Sequence, residues 1–379
     1  MARPACKFTE EQLRSWNLVE HFRSVLLPRL KASPKSATEQ DPRRKLAADA
    51  YFSLFLLGMF NTTVTSMRGL VAATRFKKLK SICPHEIAPA TFSEAQHLFS
   101  PEVLATVVRD LALQAKGMAQ FGSLQVRQAV ETLTAVDGTI LRALHRMTWA
   151  PAAGFGCAVR LNIHFSVFDQ VPVHWSITPS KSSELKEWKK SCQPGAFFVG
   201  DRLYGEDHLW LKQLKKKDVH FVVRLLGNVW RKPVAPAREL TEADRKAGVI
   251  SDQLVELGCR GGGPVLRVIE IQTPRDTILL ATTREDLPAE MIGQIYSYRW
   301  QIELFFKWLK TMLPCKHWMA ESQSGVTIQL YCAMIAALLL LLWTGDRPSK
   351  RQMEALRFYW SGFIDEEELL QVLASQKKK

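Results

Sequence analysis

The chain has 379 residues, of which 47% are apolar and 23% charged, enough for two or three domains and a sizeable core of the ordinary soluble kind. Its formal net charge of +14 favours a polyanionic partner, because each neutralised phosphate releases condensed counterions. Seven cysteines without a CxxC pair (Cys6, Cys83, Cys157, Cys192, Cys259, Cys315, Cys332) speak against a zinc finger or a disulfide framework and for reduced thiols.

In chain order, Met1 to Glu10 shows no basic-then-apolar leader pattern. Residues 1 to about 125 read as helical and carry no strand pattern. Ala47 to Met59 is an apolar helix, and Arg75 to Lys80 a basic amphipathic turn. Thr91-Phe92-Ser93-Glu94 has capping-box spacing with Thr91 as N-cap, and Pro101 opens a helix through Ala115. After Gln125 the period changes. Glu131 to Asp137 is a strand-like run, and Val159 to Phe168 with Val171 to Thr178 form a hairpin around Asp169-Gln170. Ser183 to Ser191 is a short charged helix, Ala196 to Gly200 a buried strand ending at Asp201, Glu206 to Lys217 a helix and His220 to Leu225 a strand.

Residues 227 to about 287 read as a β-rich insert, with Gly261-Gly262-Gly263-Pro264 turning between Leu254–Leu257 and Val265–Ile271, then a strand at Thr277–Thr283. Helix returns at Pro288 and runs to about Leu313. The apolar stretch Tyr331 to Trp343 is 13 residues, short of the roughly 20 that span a bilayer, so a buried helix and a cytoplasmic protein are expected. Lys377 to Lys379 form a basic tail.

Three carboxylates stand out. Asp137 and Asp201 each close a predicted buried strand, and adjacent strand ends in a mixed sheet bring their side chains to one rim, where open α/β sheets place ligand sites. A turn aspartate, as in Asp137-Gly138-Thr139, is the plainer reading of each alone. Tyr296, Arg299, Glu303 and Lys310 stand at relative positions 0, 3, 7 and 14. At about 100° per residue they share roughly a 60° arc of one helix. An ion-paired surface ladder has that pattern too, Arg299–Glu303 and Glu303–Lys307 being i,i+4 pairs. The same helix is rich in large apolar groups (Trp300, Ile302, Leu304, Phe305, Phe306, Trp308, Leu309), so its polar stripe needs buried partners. Phosphates and divalent ions supply them. Two ions about 4 Å apart activate the attacking oxygen and stabilise the leaving one, and hard oxygen ligands suit Mg²⁺ or Mn²⁺. Three converging carboxylates repel unless a cation joins them.

These residues resemble the DDE transposases of bacterial insertion sequences, and in particular insertion-sequence family four. The third acid of that family lies in a Tyr-x2-Arg-x3-Glu-x6-Lys signature, matched at every spacing by Tyr296, Arg299, Glu303 and Lys310. The first two acids correspond to Asp137 in Ala135-Val136-Asp137-Gly138-Thr139 and Asp201 in Gly200-Asp201-Arg202-Leu203-Tyr204. Family members often carry Gly where Leu203 stands, so the turn after Asp201 is expected to differ in shape. The resemblance covers roughly residues 65 to 345. It implies an α/β fold: a ribonuclease-H-like mixed-sheet catalytic core with a β-rich insertion and a helical N-terminal DNA-binding region. The corresponding domains are 1–125 (DNA-binding), 126–226 (core, first part), 227–287 (insertion), 288–345 (core, second part) and 346–379 (C-terminal helical segment and tail).

It further implies Asp137, Asp201 and Glu303 as catalytic metal ligands for two Mg²⁺ or Mn²⁺ ions, and Tyr296, Arg299 and Lys310 as DNA-phosphate ligands. The implied chemistry is cut-and-paste transposition at terminal inverted repeats through a DNA hairpin, by a homodimer that pairs two double-stranded ends and joins them to target DNA. Trp230 is a candidate for stacking an unpaired base, with packing the plainer reading. Arg68, Arg75, Lys77, Lys78 and Lys80 are candidate readers of the ends. Lys212, Lys215, Lys216 and Lys217 read first as a solvated helix end, and His164, His174 and His208 as packing or surface residues. Two other functions fit the same residues: a transposase-derived DNA-binding protein that no longer cuts, and a ribonuclease-H-like nuclease without strand transfer.

Overall fold

The computed structural model describes residues 15–374 apart from 35, 62, 63, 65, 153, 155, 259–261 and 313–317. The expectations for Met1–Glu10, Gly261, the lysine tail and Cys6, Cys259 and Cys315 fall outside these residues. The chain divides into two compact units: Met1–Met118 with Arg142–Cys157 and Lys307–Lys379, and Ala119–Leu141 with Ala158–Phe306. This division departs from the expected one, because the apolar C-terminal helix groups with the N-terminal helices and not with the sheet.

In the first unit that helix spans Gln323–Thr344, 22 residues, well beyond the 13-residue stretch read from hydropathy. Its true ends are set by polar chemistry: Ser322 Oγ accepts from Gly325 N at one end, and Gly345 takes the left-handed conformation (φ 72°) at the other. The helix is long and apolar enough to cross a membrane, yet 89% of its most apolar window is buried. It packs on the helices Ser15–Ala32, Ala48–Phe60, Pro89–Leu98 and Glu102–Ala115. Tyr51, Phe55 and Phe92 interlock among these helices, Phe55 stacking on Phe92 at 5.4 Å. The Pro89–Leu98 helix corrects the expected N-cap. It starts two residues before Thr91, after Ala88, because Pro89 carries a pre-set helical φ and no N–H to satisfy.

The second unit is built on one nine-stranded sheet. Its strands are β1 Thr134–Arg142, β2 Ala158–Ser166, β3 Val171–Pro179, β4 Phe197–Gly200, β5 His220–Arg224, β6 Arg231–Pro233, β7 Val249–Leu257, β8 Val265–Gln272 and β9 Thr277–Thr282. Their order is β3-β2-β1-β4-β5-β9-β8-β7-β6. β2 and β3 form the expected antiparallel hairpin, while β1–β4 and β4–β5 are parallel. This is a mixed α/β sheet, as the resemblance implies. The strands of residues 227–287 do not form a separate sheet. β9 joins β5 antiparallel, and β8, β7 and β6 follow outward.

Alternation with period two gives the sheet two faces. On one, Val136, Phe198, Phe221, Val223, Leu257 and Leu266 pack against Trp188 of the Glu184–Ser191 helix and Leu211 and Leu214 of the His208–Lys216 helix. On the other, the Ala289–Tyr298 helix lies over β4 and β5, with Ile292 and Ile295 buried.

Two expectations bearing on the site need correction. β1 does not stop at Asp137 but continues to Arg142, because β2 lies beside it past the point where β4 ends. The expected single helix from Pro288 is two, Ala289–Tyr298 and Trp300–Met312. They join at Arg299, whose N–H bonds back to Tyr296 O in a tightened turn. The Trp300–Met312 helix is mostly buried, as expected, with Ile302, Phe305, Phe306, Trp308 and Leu309 in the core, while Trp300 is 45% exposed.

Candidate active site

The β1–β4 register is Thr134↔Phe198 and Ala135↔Val199, so its continuation sets Asp137 opposite Asp201 on adjacent parallel strands. Asp137 Oδ1 accepts from Gly138 N (2.8 Å) and Asp201 Oδ1 from Leu203 N (2.9 Å). Each aspartate is thus oriented through one oxygen, and no hydrogen bond from a described residue reaches the other. Asp201 caps a 3-10 turn, Arg202–Gly205. Leu203 in that turn does not adopt positive φ, so the absence of glycine there imposes no backbone strain.

Glu303 enters from the Trp300–Met312 helix. Arg299 Nη2 donates to its Oε1 at 2.6 Å, an i,i+4 pair in which the side chains are 18% and 28% exposed. Arg299 keeps its proton more firmly than usual: burial opposes the charge, but Glu303, Tyr296 and Asp137 outweigh it. Tyr296 is half-buried under the Arg299 guanidinium (5.9 Å to the ring), and burial raises its phenol pKa although Arg299 and Arg224 pull it down and Asp201 adds to the rise. Arg299 thus links the groups, pairing with Glu303 and acting on Tyr296 and Asp137, while the charge of Asp201 is felt at both Tyr296 and Asp137.

The most perturbed carboxylate is Asp137. Burial, then the neighbouring Glu184 and then Asp201, raise its pKa from 3.8 to about 7, against the Gly138 N–H and Arg299. Among the described residues no three His, Cys, Asp or Glu stand together as a ready metal cluster. The donor chemistry nonetheless fits divalent ions. Asp137 and Asp201 each present a second, uncommitted oxygen, Asp137 is held against repulsion that a cation would relieve, and Glu303 would have to release Arg299 to hold an ion.

The other expected residues are placed elsewhere. Lys310 is exposed on the last turn of its helix, within the first compact unit. Trp230, 36% exposed, precedes the outermost strand β6, and its carbonyl accepts from Gly258 N; in the strand order β6 is six places from β1. Lys212 and Lys215 are not simply solvated. Lys212 donates to Gly262 O (2.7 Å), Lys215 to Glu285 and Val265 O (3.1 and 3.2 Å), and Lys217 lies over the Trp210 ring. His164 is buried against His174 and Ser191, its pKa lowered to about 3 by burial and then His174. His208 packs against Gly258. In the first unit Arg68, Arg75 and Lys77 are exposed, Arg75 facing Glu86 at 3.6 Å.

Sequence reasoning passed over Glu184, Tyr204 and Arg160. Glu184 Oε1 accepts from the Tyr204 hydroxyl (2.6 Å) and Oε2 from Arg160 (3.1 Å). The one available signal was spacing: Glu184 and Trp188 are i,i+4, so a helix that buries Trp188 turns Glu184 inward as well.

Comparison with known proteins identifies a family. The family described as Transposase DDE domain matches residues 128–339. A putative transposase y4zB of Sinorhizobium fredii is 27% identical over 238 residues, 61% of this chain and 66% of that protein. A probable transposase for insertion sequence element IS5377 of Geobacillus stearothermophilus is 26% identical over 230 residues, 60% of each. A putative transposase for insertion sequence element IS4SA of Synechocystis is 41% identical over 75 residues, 20% of this chain and 22% of the relative. The matches thus span just under two thirds of the first two relatives and about a fifth of the third.

Proposed function

Because the chain belongs to the Transposase DDE domain family, we propose that it is a DNA transposase that cuts and rejoins phosphodiester bonds with Asp137, Asp201 and Glu303. The observation that supports this most is the β1–β4 register, which sets the two aspartates side by side within electrostatic reach of Arg299 and its partner Glu303. The three carboxylates would hold two divalent ions, Mg²⁺ or Mn²⁺. When bound, the ions activate the attacking oxygen and stabilise the leaving one.

The chain's own groups account for the rest. Arg299, released from Glu303, presents a planar donor fork to a phosphate, and the shielded Tyr296 hydroxyl donates beside it. Lys310 adds a point charge farther along the helix. In the proposed sequence, water attacks phosphorus at the end of the element, and the bond to the 3′ oxygen breaks. The freed 3′-hydroxyl attacks a phosphorus of the opposite strand and displaces the 3′ oxygen of the flanking DNA, giving a hairpin that a second water reopens before insertion into target DNA. Trp230 offers an aromatic face to a base unstacked by that hairpin. A homodimer in the cytoplasm brings both ends together, and Arg68, Arg75, Lys77, Lys78 and Lys80 of the helical N-terminal region contact them.

With Mg²⁺ or Mn²⁺, the protein is expected to cut a plasmid carrying the inverted repeats that flank its gene, and to join the ends to a target. Asp137→Asn, Asp201→Asn and Glu303→Gln are expected to keep end binding in a gel-shift assay and to lose cutting by at least about 1,000-fold. Asp137→Asn protein that cuts like wild type would sink the assignment. Cutting without joined products would identify a nuclease, and binding without cutting a DNA-binding relative. Trp230→Ala is expected to slow hairpin formation alone, by the roughly 1–3 kcal/mol of one base–aromatic stack. An unchanged hairpin rate removes Trp230 from the site.

A further inference from the structure

Glu184 occupies an unusual place for an acid. Its side chain is only 10% exposed, and it stands beside a pair of aspartates already short of positive charge. Both its oxygens are engaged, one by the Tyr204 hydroxyl and one by Arg160, which also reaches Ser180 O. The carboxylate lies directly on the β1 backbone: a Cβ at Gly138 would meet Glu184 Oε2 at 2.8 Å and Asn162 Oδ1 at 2.9 Å. Asn162 is 7% exposed, and among the described residues its Oδ1 has no hydrogen-bond partner, although its amide nitrogen donates to Ser176. Two acceptors thus converge on the residue that follows Asp137.

The second contact runs to Asp201. The Tyr204 ring lies against Gly200, where a Cβ would meet ring carbons at 2.9 Å, and Tyr204 belongs to the turn that Asp201 caps. Val136 and Gly138 face the Glu184–Ser191 helix, so alternation along β1 turns the Asp137 side chain the other way, toward the face of the Ala289–Tyr298 helix. Glu184 therefore touches the site from behind. One carboxylate bears on the backbone beside Asp137 and, through Tyr204, on the backbone beside Asp201.

We infer that Glu184 is a positioning residue which, braced by Tyr204 and Arg160, fixes Asp137 and Asp201 at the spacing their shared cations require. The inference rests on the proposed metal-dependent reading. A neutral amide in its place would keep an acceptor for Tyr204 but leave the buried Arg160 guanidinium without its counter-charge. Outer-shell partners of this kind change metal affinity or activity by about 10–100-fold when replaced.

The test uses the full chain. Mn²⁺ binding to the metal-free protein is measured by calorimetry, alongside the thermal midpoint, end binding and plasmid cutting, for Glu184→Gln, Glu184→Asp, Tyr204→Phe, Asp137→Asn and Asp201→Asn. Glu184→Gln and Tyr204→Phe are expected to bind ends like wild type but to lose Mn²⁺ affinity and cutting by about 10–100-fold. Glu184→Asp, too short to reach both partners, is expected to recover only part of the loss. Tyr204→Phe keeps every charge and removes one hydroxyl, so it decides the matter should Glu184→Gln fail to fold. Unchanged Mn²⁺ affinity in both Glu184→Gln and Tyr204→Phe, with Asp137→Asn and Asp201→Asn defective, overturns the inference and leaves the reading of the site intact. Wild-type Mn²⁺ binding and cutting in Asp137→Asn and Asp201→Asn overturns both.

Discussion

Replacing Asp137 with Asn is expected to raise the thermal midpoint of the metal-free protein at pH 8 by roughly 2–4 °C, while abolishing DNA cutting. The cause is the raised pKa. Burial first, then Glu184 and Asp201, carry it from 3.8 to about 7 in the folded protein. A carboxyl whose folded pKa lies above its unfolded value contributes stability that is fully present below the unfolded pKa. That contribution is lost as pH rises through the folded one. Wild type should therefore lose stability between about pH 4 and pH 7 relative to Asp137→Asn, with a level difference above pH 8. Allowing for solvent screening of a site at the sheet rim, the plateau is about 2–3 kcal/mol. Asn retains the Oδ1 that accepts from Gly138 N, so little else changes. Millimolar Mn²⁺ at pH 8 should stabilise wild type and narrow the gap. Thermal scans at pH 4.5 and pH 8, with and without the ion, measure all of this. Equal midpoints for the two metal-free proteins at pH 8 would show that Asp137 is not held against repulsion.

The second large effect is expected far from any carboxylate of the site. Arg267, 2% exposed, makes a two-pronged pair with Asp252 (2.9 and 2.6 Å) across β7 and β8. It also donates to the carbonyls of Arg284 and Leu287. Removing either member alone, by Arg267→Met or Asp252→Leu, leaves a buried charge uncompensated and is expected to cost about 3–5 kcal/mol. The double replacement should recover much of that but not all, since the two carbonyls stay unsatisfied. Urea unfolding of the four proteins forms the cycle, and additive single losses would refute the coupling. Leu287 directly precedes the Ala289–Tyr298 helix, and Asp244 Oδ1 accepts from Glu290 N in its first turn (2.9 Å). The single variants are therefore also expected to loosen the helix that delivers Tyr296 and Arg299.

What could be read beforehand was whatever local periodicity controls. The hairpin of β2 and β3, the buried β4 and the amphipathic His208–Lys216 helix all announce themselves by alternation or by a 3.6-residue repeat. Of the two aspartates expected at strand ends, only Asp201 stands at one, just after β4. Where the expectation slipped, a non-local partner or a single backbone atom was decisive. β1 runs past Asp137 because β2 accompanies it. The helix breaks at Arg299 by one tightened turn, which no side-chain pattern reports. Pro89 displaces Thr91 as the start of its helix although the capping-box letters are all present. Glu184 escaped notice because its partners Arg160 and Tyr204 lie on a different strand and a different turn, each about 20 residues away in sequence.

The placing of the Gln323–Thr344 helix among the N-terminal helices carries a consequence for how the protein is made. Ala48–Phe60 and Glu102–Ala115 leave the ribosome long before the segment that buries their apolar sides. At about 5–20 residues per second, that partner arrives roughly 10–40 s later. The sheet-bearing stretch 158–306 is complete meanwhile. A nascent chain, or a fragment ending before residue 323, thus carries greasy helical surface in want of cover, a natural client for chaperones. The helical unit therefore draws its core from both sides of the sheet-bearing stretch in sequence, and its apolar faces stay uncovered until residues 323–344 have been made.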